Sequence, residues 1–389
     1  MNNTMRNRIY LDYAATTPVS ETVLSAMLPF FTDCAGNASA VYGTGREARK
    51  AVEYARKQVA CALGAEPGEI LFTAGGSESD NLAVKGTAFA MKETGRHIVT
   101  TAIEHPAVLN SCRWLEKQGF QVTYLIPDRE GRIEPEQVRN AIREDTILIS
   151  VMAANNEIGT IEPVREIGRI AKENGIVFHT DAVQATGAIP VDVNEWNADL
   201  LSLSAHKFNG PKGIGALYVR KGTRIDPLIS GGEQERGLRA GTENVAGIVG
   251  LGKAIEEAST KRTEYCNQMT ALRDQLTEGI LKAVPDSALN GAKDGRLPNN
   301  CNIRFGGIDG EALLLRLDLA GIAGSSGSAC TAGSQEISHV LRAIGLNDAE
   351  AKSSLRLTVG PGNTMKEIDE TVRTVREIVE DLRKMFRGQ

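Results

Sequence analysis

Short apolar runs alternate with amphipathic stretches along residues 69–220, and this alternation restricts the fold more than any other feature of the chain. The apolar runs have the length and composition of strands: Glu69–Thr73, His97–Ala102, Gln121–Ile126, Thr146–Ala153, Ile176–Thr180, Ala198–Ser204 and Ala216–Arg220. The stretches between them have helical patterns: Asn81–Lys92, Pro106–Gln118, Pro135–Arg143 and Pro163–Asn174. This alternation predicts an α/β fold with a mostly parallel, seven-stranded sheet covered by helices.

The rest of the chain has a different pattern, which predicts a smaller α+β domain. A long helical stretch near Glu243–Lys282 leads out of the large domain, and strand-like runs follow at Asn302–Phe305 and Ser354–Val359. A last helical stretch lies near Lys366–Met385. The 389 residues are enough for two domains with a large buried core.

Composition and charge argue against several classes of function. The net charge of −5 disfavours nucleic-acid binding, which usually needs a basic face. No apolar run reaches the ~20 residues of a membrane helix, and residues 1–6 contain no apolar signal region. We therefore expect no membrane association and a cytoplasmic location. The six cysteines form no C-x-x-C pair, which disfavours a zinc site or a disulfide framework, and we expect most of them to be buried.

Lys207 and Asp181 together indicate a cofactor. Lys207 follows a predicted strand and lies among serine, histidine and glycine, where a lysine is poorly suited to core packing. It is well suited to holding an aldehyde cofactor as a Schiff base. Asp181 follows another buried strand, and a carboxylate there can hold a proton on a heterocyclic nitrogen. The pair indicates pyridoxal 5'-phosphate (PLP), which needs a lysine at its aldehyde and an acid at its ring nitrogen.

Several further residues have both a functional and an ordinary explanation. The run Gly75–Ser79 opens a helix after a strand, so it either binds phosphate or is a glycine turn with a serine cap. His105 either handles protons near neutral pH or simply begins a helix. Asn156 and Gln184 end two strands at the edge where α/β sheets bind ligands, or they cap loops. Arg356, inside an apolar strand, holds either a substrate carboxylate or a structural ion pair.

Two more residues are candidates for a supporting role and for a nucleophile. His179 lies two residues before Asp181 on the same face of the strand, which indicates a role behind it. Cys330 lies in a run of small residues that has little to bury. This run favours a nucleophile that travels between cofactor and partner, and the alternative is a tolerated surface thiol.

One motif resembles a nucleotide-binding loop but does not match it fully. The run Gly247–Ala254 fits the spacing G-x-x-x-x-G-K of a nucleotide-binding loop. Ala254 stands where the motif needs a hydroxyl for Mg²⁺, and the run lies in a predicted helix rather than after a strand. We therefore predict no ATP site there.

The motifs together resemble those of a single enzyme family. In chain order they are Tyr10–Pro18, Phe72–Ser79, Glu104–Val108, Asn155–Gly159, Ser204–Gly213, Arg239–Asn244 and Ser325–Thr331. In this order they resemble the PLP-dependent cysteine desulfurases, the group typified by the nitrogen-fixation and iron–sulfur-cluster assembly enzymes. The resemblance runs nearly end to end.

The resemblance implies the aspartate-aminotransferase-type fold (fold type I), in which the N-terminal segment joins the C-terminal domain. We therefore predict a large PLP-binding domain over residues 16–259 and a small domain over residues 1–15 and 260–389. The resemblance also implies a homodimer and an enzyme that converts L-cysteine to L-alanine, with the sulfur left as a persulfide on Cys330. Its implied partner is an iron–sulfur scaffold or another sulfur-acceptor protein.

The resemblance assigns roles around the cofactor. Lys207 holds PLP and then shuttles the Cα proton, while Asp181 keeps the pyridine nitrogen protonated. His105 stacks on the ring and manages the proton of the substrate thiol. The implied phosphate-binding residues are Gly76, Ser77, Ser204, His206 and, from the other subunit, Thr242.

The resemblance also assigns roles around the substrate. Gln184 bonds the phenolic oxygen of PLP, Asn156 lies near the ring and the substrate carboxylate, and Arg356 holds that carboxylate. The chain departs from the family at Ala38–Tyr42, where a histidine is usual, and at Pro361–Asn363. Neither departure removes a catalytic group.

Two other functions stay open at this point. One is a different PLP enzyme of this fold, such as a selenocysteine lyase or an aminotransferase, although an aminotransferase has no need of Cys330. The other is an inactive binding protein that only activates a desulfurase partner. The intact set of Lys207, Asp181, His105 and Cys330 argues against that second function.

Overall fold

The computed structural model describes residues 8–326 and 337–387, so Cys330 lies outside the described residues. The strands are β1 Ile9–Tyr10, β2 Ile70–Thr73, β3 His97–Thr101, β4 Gln121–Leu125, β5 Thr146–Ser150, β6 Val177–Asp181, β7 Leu200–Ser204, β8 Gly215–Val219, β9 Ser287–Leu289, β10 Asn300–Phe305, β11 Ile322–Ala323 and β12 Ser354–Thr358. The α-helices are α1 Glu21–Met27, α2 Gly43–Leu63, α3 Gly76–Asn81, α4 Thr87–Met91, α5 Pro106–Glu116, α6 Pro135–Ala141, α7 Val164–Glu173, α8 Val245–Ala283, α9 Gly310–Leu319, α10 His339–Ala343, α11 Asp348–Lys352 and α12 Met365–Arg387.

Seven strands form the large sheet, in the order β2-β8-β7-β6-β5-β3-β4. All neighbouring pairs are parallel except those of β8, which runs antiparallel to both β2 and β7. Strands β2, β3, β5, β7 and β8 are buried along their whole length, as expected for a sheet covered on both faces. The prediction of a mostly parallel seven-stranded sheet is confirmed.

The helix after β2 is interrupted. Helix α3 passes into a π-helical turn at Leu82–Gly86 and then into α4, where the sequence predicted one continuous helix from residue 81. Helix α3 begins at Gly76, inside the run Gly75–Ser79 that the sequence predicted to open a helix, so this run forms the first turn. The first N–H groups of a helix have no intrahelical acceptor, so those of this turn can bind an anion.

The second group of strands is antiparallel. Strand β10 pairs with β12 on one side and β9 on the other, and β1 pairs in parallel with β11. The sequence predicted β10 and β12 to within two residues, but β1, β9 and β11 were not predicted. Each of these three has only two or three residues, which is too short for an alternating pattern.

Helix α8 contributes to two separate hydrophobic cores. Ile248, Leu251 and Ile255 in its first half pack into the core of the large sheet. Leu272 and Leu276 in its second half pack with β10, β12 and α12. None of the helices in the described ranges is long and apolar enough to cross a lipid bilayer.

Candidate active site

The carboxyl ends of β6 and β7 place Asp181 and Lys207 at one edge of the sheet. The two strands are parallel neighbours, with Asp181 opposite Ser202. Lys207 ends the short 3₁₀ turn Ala205–Lys207 that follows β7. This edge is where open α/β sheets bind ligands, because helix starts and loops meet there around a crevice.

Asp181, His105 and Lys207 share one electrostatic environment. Asp181 is buried, and its Oδ1 accepts the N–H of Val183 at 2.9 Å. Burial raises the pKa of Asp181, while electrostatic interactions with His105 and Lys207 act in the opposite direction. A protonated ring nitrogen beside Asp181 would favour the carboxylate further, as its predicted role requires.

The N-terminal segment closes one side of this site. Lys207 Nζ donates to the carbonyl oxygens of Ala14 at 2.6 Å and Ala15 at 2.9 Å. Gln184 Nε2 donates to the same Ala14 oxygen at 3.0 Å. The structure therefore brings Lys207 and Gln184 together at the Ala14 carbonyl oxygen.

The start of α3 forms a cradle that fits a phosphate group. Gly75 has φ 152°, in the region that favours glycine. A Cβ on Gly76 would lie 2.7 Å from Val183 Cγ2 and 3.5 Å from Ser204 Cβ, so a side chain would fill the cradle. N–H groups at a helix start attract an anion. The donor set therefore fits the phosphate of PLP, with the buried Ser204 at the floor of the cradle and Ser77 exposed on the first turn.

His206 lies beside this cradle in a neutral form. Its Nδ1 is 3.2 Å from Thr16 Oγ1. Burial lowers the pKa of His206 to about 4, and the charges of Lys207 and Lys212 act in the same direction. A neutral imidazole can donate one hydrogen bond to phosphate without adding a charge.

His105 caps the start of helix α5 and lies close to Asp181 and Lys207. It is the N-cap of α5, where its Nδ1 accepts the N–H of Ala107 at 3.2 Å. Burial lowers the pKa of His105, and Asp181 opposes that shift. Because Nδ1 accepts a hydrogen bond, the proton of neutral His105 lies on Nε2.

Arg356 forms the structural ion pair that the sequence left as an alternative. Its Nη2 lies 2.8 Å from Asp12 Oδ1, and the arginine is buried. Its Nη1 donates to the carbonyl oxygen of Asn156 at 3.1 Å. The structure thus places Arg356 beside Asn156 and the N-terminal segment, and its role toward a substrate carboxylate stays a prediction.

Strand β12, which contains Arg356, also pairs with Ser325, the first residue of what we call the cysteine-bearing segment (residues 325–338). Ser325 N donates to Arg356 O at 3.0 Å, and Arg356 N donates to Ser325 O at 2.7 Å. Cys330 follows Ser325 by five residues in the sequence.

A buried acid beneath Asp181 was not predicted from the sequence. Asp80 on α3 is buried, and its Oδ1 lies 3.7 Å from His179 Nε2. His179 is held by Ser150 Oγ at 2.8 Å and Ser202 Oγ at 3.0 Å, and burial lowers its pKa to about 3. His179 is therefore a neutral residue behind Asp181, in line with its predicted supporting position. The signal for Asp80 was its place four residues after Gly76, on the helix face that meets the sheet.

Other expectations from the sequence have mixed outcomes. The run Gly247–Ala254 lies inside α8, as predicted. The expectation that most cysteines are buried is wrong for those in the described ranges. Cys112 and Cys301 are buried, Cys34 and Cys266 are half-buried, and Cys61 is exposed. No cluster of potential metal ligands was found among residues 8–326 and 337–387.

A lysine, an acid and a phosphate cradle at one sheet edge define a PLP-dependent enzyme of the α/β class. The chain belongs to the aminotransferase class-V family, whose model matches residues 9–371. The predictions of a fold type I enzyme and of PLP as its cofactor are thereby confirmed.

Curated relatives and solved structures make the resemblance more specific. The chain is 56% identical over 383 residues to "Cysteine desulfurase IscS" of Methanosarcina thermophila, covering 98% of this chain and 95% of the relative. It is 50% identical over 376 residues to "Putative cysteine desulfurase IscS 1" of Bacillus subtilis, covering 96% and 99%. A solved structure described as a "NIFS-LIKE PROTEIN" matches with a TM-score of 0.91 and 40% identity, covering 96% of this chain and 100% of that one. Another, "SspA in complex with cysteine", matches with a TM-score of 0.80 and 43% identity, covering 92% and 100%. The predicted resemblance to cysteine desulfurases is confirmed.

Proposed function

We propose that this protein removes the sulfur of L-cysteine, releases L-alanine and holds the sulfur on Cys330. The observation that carries the proposal is that Lys207, Asp181 and His105 lie together at one edge of the sheet. Arg356 is bonded through its backbone to Ser325, five residues before Cys330 in the sequence. Relatives named cysteine desulfurase, at 50–56% identity over nearly the whole chain, support it.

The overall reaction balances without an external oxidant. The C–S bond of the substrate breaks, and its electron pair stays on Cβ, which takes a proton and becomes the methyl group of alanine. An S–S bond forms between the substrate sulfur and the Cys330 sulfur. The two sulfur atoms of the new bond are together oxidised by two electrons and Cβ is reduced by two, so L-cysteine and a thiol become L-alanine and a persulfide.

Each residue of the site has a task in this reaction. Bound PLP supplies an electron sink for the bond broken at Cα. Asp181 holds a proton on the ring nitrogen, and Lys207 Nζ takes and returns the Cα proton. His105 Nε2 donates to the substrate sulfur. To take the thiol proton instead, His105 must release the Ala107 N–H from Nδ1.

The activity itself is tested directly. Purified protein loaded with PLP is incubated with L-cysteine and a reductant, and alanine and sulfide are measured. We expect the two products in equal amounts. Sulfide with pyruvate and ammonia, or no product at all, would contradict the proposed reaction.

We also propose that two subunits complete the site, with Thr242 of one near the phosphate held by the other. Thr242 is exposed in the single chain. Beside the phosphate cradle lies a cavity of about 330 Å³ whose apolar lining includes Leu228 and Ile229, and both are partly exposed. An apolar cavity next to a cofactor site suits a second copy of the chain. We further propose that the protein is cytoplasmic and that it passes its sulfur to an acceptor protein.

The division into domains is likewise a proposal. Pairing of β1 with β11 joins the N-terminal segment to the part that follows residue 260. The α8 residues that pack into the core of the large sheet end at Ala258, and those that pack into the second core begin at Met269. The change lies next to the proposed boundary at residues 259 and 260.

Asp181→Asn should keep part of the PLP but lose most turnover. The amide cannot supply the charge that holds a proton on the ring nitrogen, so we expect kcat to fall by about 100-fold or more. Asp199→Asn is the matched control. Asp199 also accepts a backbone N–H, from Phe178 at 2.9 Å, but lies before β7 at the opposite edge of the sheet. Near-normal kcat in Asp181→Asn would refute the role of Asp181.

Arg356→Lys should raise KM for L-cysteine by about tenfold, because a lysine cannot form the two-pronged bond to a carboxylate. Asp12→Asn is the comparison, since it removes the ion-pair partner of Arg356 but leaves the arginine. If Arg356 only holds Asp12, both variants should change KM and thermal stability alike. If it binds substrate, only Arg356→Lys should raise KM.

A further inference from the structure

Helix α10 begins nine residues after Cys330 in the sequence. Its start is hydrogen-bonded to the two active-site loops, which are the loop that follows β3 and the loop that follows β5. Ser338 is the N-cap of α10, and its Oγ accepts the N–H of Leu341 at 3.1 Å. The same Oγ donates to Glu157 Oε2 at 2.5 Å, a short distance typical of a hydroxyl bonded to a carboxylate. Both residues are buried, so water competes little for this bond.

A second hydrogen bond lies beside the first. His339 Nε2 is 3.0 Å from the carbonyl oxygen of Glu104, and because a carbonyl only accepts, Nε2 carries a proton there. Glu104 directly precedes His105, and Glu157 directly follows Asn156. The start of α10 is therefore bonded to the immediate neighbours of two site residues.

An apolar cluster supports the two hydrogen bonds. Val340 and Leu341 of α10, with Ile344 directly after it, pack against two residues of the active-site loops: Ile103 after β3 and Ile158 after β5. All five side chains are almost fully buried. The contact is therefore a packed interface, and its position is well defined.

The two loops are also bonded to each other. Asn155 Nδ2 donates to the carbonyl oxygen of Ile103 at 2.9 Å, and Asn155 Oδ1 accepts the N–H of Glu157 at 2.8 Å. Asn302 Nδ2 donates to the carbonyl oxygen of Glu157 at 2.9 Å, so β10 holds the same turn. Glu157 thus presents its carboxylate from a backbone that is fixed from two sides.

We propose that Glu157 is a positioning residue that, through Ser338, fixes the end of the cysteine-bearing segment relative to His105 and Asn156. The inference rests on the proposed function, because it concerns the delivery of Cys330 to the substrate sulfur. The start of the segment is held by Ser325 on the strand of Arg356, and its end by Ser338 on Glu157. Cys330 lies between Ser325 and Ser338 in the sequence, and we expect loss of the Ser338 bond to slow attack by its thiol, because such attack depends on orientation.

The test separates the delivery of Cys330 from the chemistry at Cα. Removal of the Cα proton needs Lys207 but not Cys330, so exchange of the Cα hydrogen of L-alanine with D₂O, followed by NMR, reports the first step alone. We expect Glu157→Ala to lower kcat for alanine release from L-cysteine by about tenfold or more. KM, the PLP spectrum and the exchange rate should stay within about twofold of wild type.

Three further variants guard against a trivial loss of structure. Ser338→Ala removes the hydroxyl bond together with the cap, and should lower kcat as Glu157→Ala does. Asn347→Ala removes a comparable cap, that of α11, where Asn347 Oδ1 accepts the N–H of Glu350 at 3.0 Å, and should leave kcat unchanged. Glu157→Gln keeps an acceptor oxygen and should recover most of the activity.

The outcomes distinguish this inference from the proposed function. An unchanged kcat in Glu157→Ala and Ser338→Ala overturns the inference. So does an equal loss of alanine release and of Cα exchange, since Glu157 would then act on the cofactor site as a whole. If wild-type protein itself releases no alanine from L-cysteine, the proposed function has failed.

Discussion

Cys330→Ser should bind PLP normally and release almost no alanine. A serine hydroxyl is a far weaker nucleophile toward sulfur than a thiolate, so we expect kcat to fall by about two orders of magnitude or more. Lys207, Asp181 and His105 remain in this variant. The exchange of the Cα hydrogen of L-alanine with D₂O should therefore continue at the wild-type rate.

The sulfur itself gives a second measurement. Wild-type protein treated with L-cysteine without reductant should gain the mass of one sulfur atom on the peptide that contains Cys330. Cys61→Ser is the matched control, because Cys61 is an exposed thiol on α2. Full alanine production in Cys330→Ser, or extra sulfur only on another cysteine, would show that the nucleophile is wrongly assigned.

Lys207→Ala should lose both the visible absorption of lysine-bound PLP and nearly all turnover. Without the amine, no covalent bond holds the aldehyde, and no group at that position moves the Cα proton. We expect a fall in kcat of about 1,000-fold or more, with Cα exchange of L-alanine lost to the same extent. This joint loss separates Lys207→Ala from Cys330→Ser, which should lose only alanine release.

Lys212→Ala is the control for charge. Lys212 is exposed in the loop that follows Lys207, and its charge also lowers the pKa of His206. It should keep the visible band and most of the activity. An unchanged spectrum in Lys207→Ala, or equal losses in both variants, would contradict the assignment of Lys207.

Most of the large domain was predictable because its signals are local. A buried parallel strand reads as a short apolar run, and a covering helix as an amphipathic stretch, so the sequence predicted all seven strands of the large sheet. Lys207 and Asp181 were found for a similar reason. A polar residue directly after a buried strand stands out in the sequence, and the carboxyl ends of parallel strands share one edge of the sheet.

The partners of the buried polar residues were not predictable in this way. Arg356 in an apolar strand signalled that a charged partner exists, but only the fold shows that the partner is Asp12, more than three hundred residues away. The bond from Ser338 to Glu157 carries no sequence signal, because serine caps and glutamates are common. Asp80 reads as an ordinary polar residue near a helix start.

By itself, the sequence determined the α/β class, the seven strands, the candidate residues for PLP binding and the resemblance to cysteine desulfurases. Only the tertiary structure decided the order of the strands, the antiparallel direction of β8, the pairing of β1 with β11 and the attachment of α10 to the active-site loops. The physical reason is the range of the interactions. Backbone preference and hydrophobic periodicity act over a few neighbouring residues, whereas a buried polar group takes whichever partner the packed chain brings within hydrogen-bond distance.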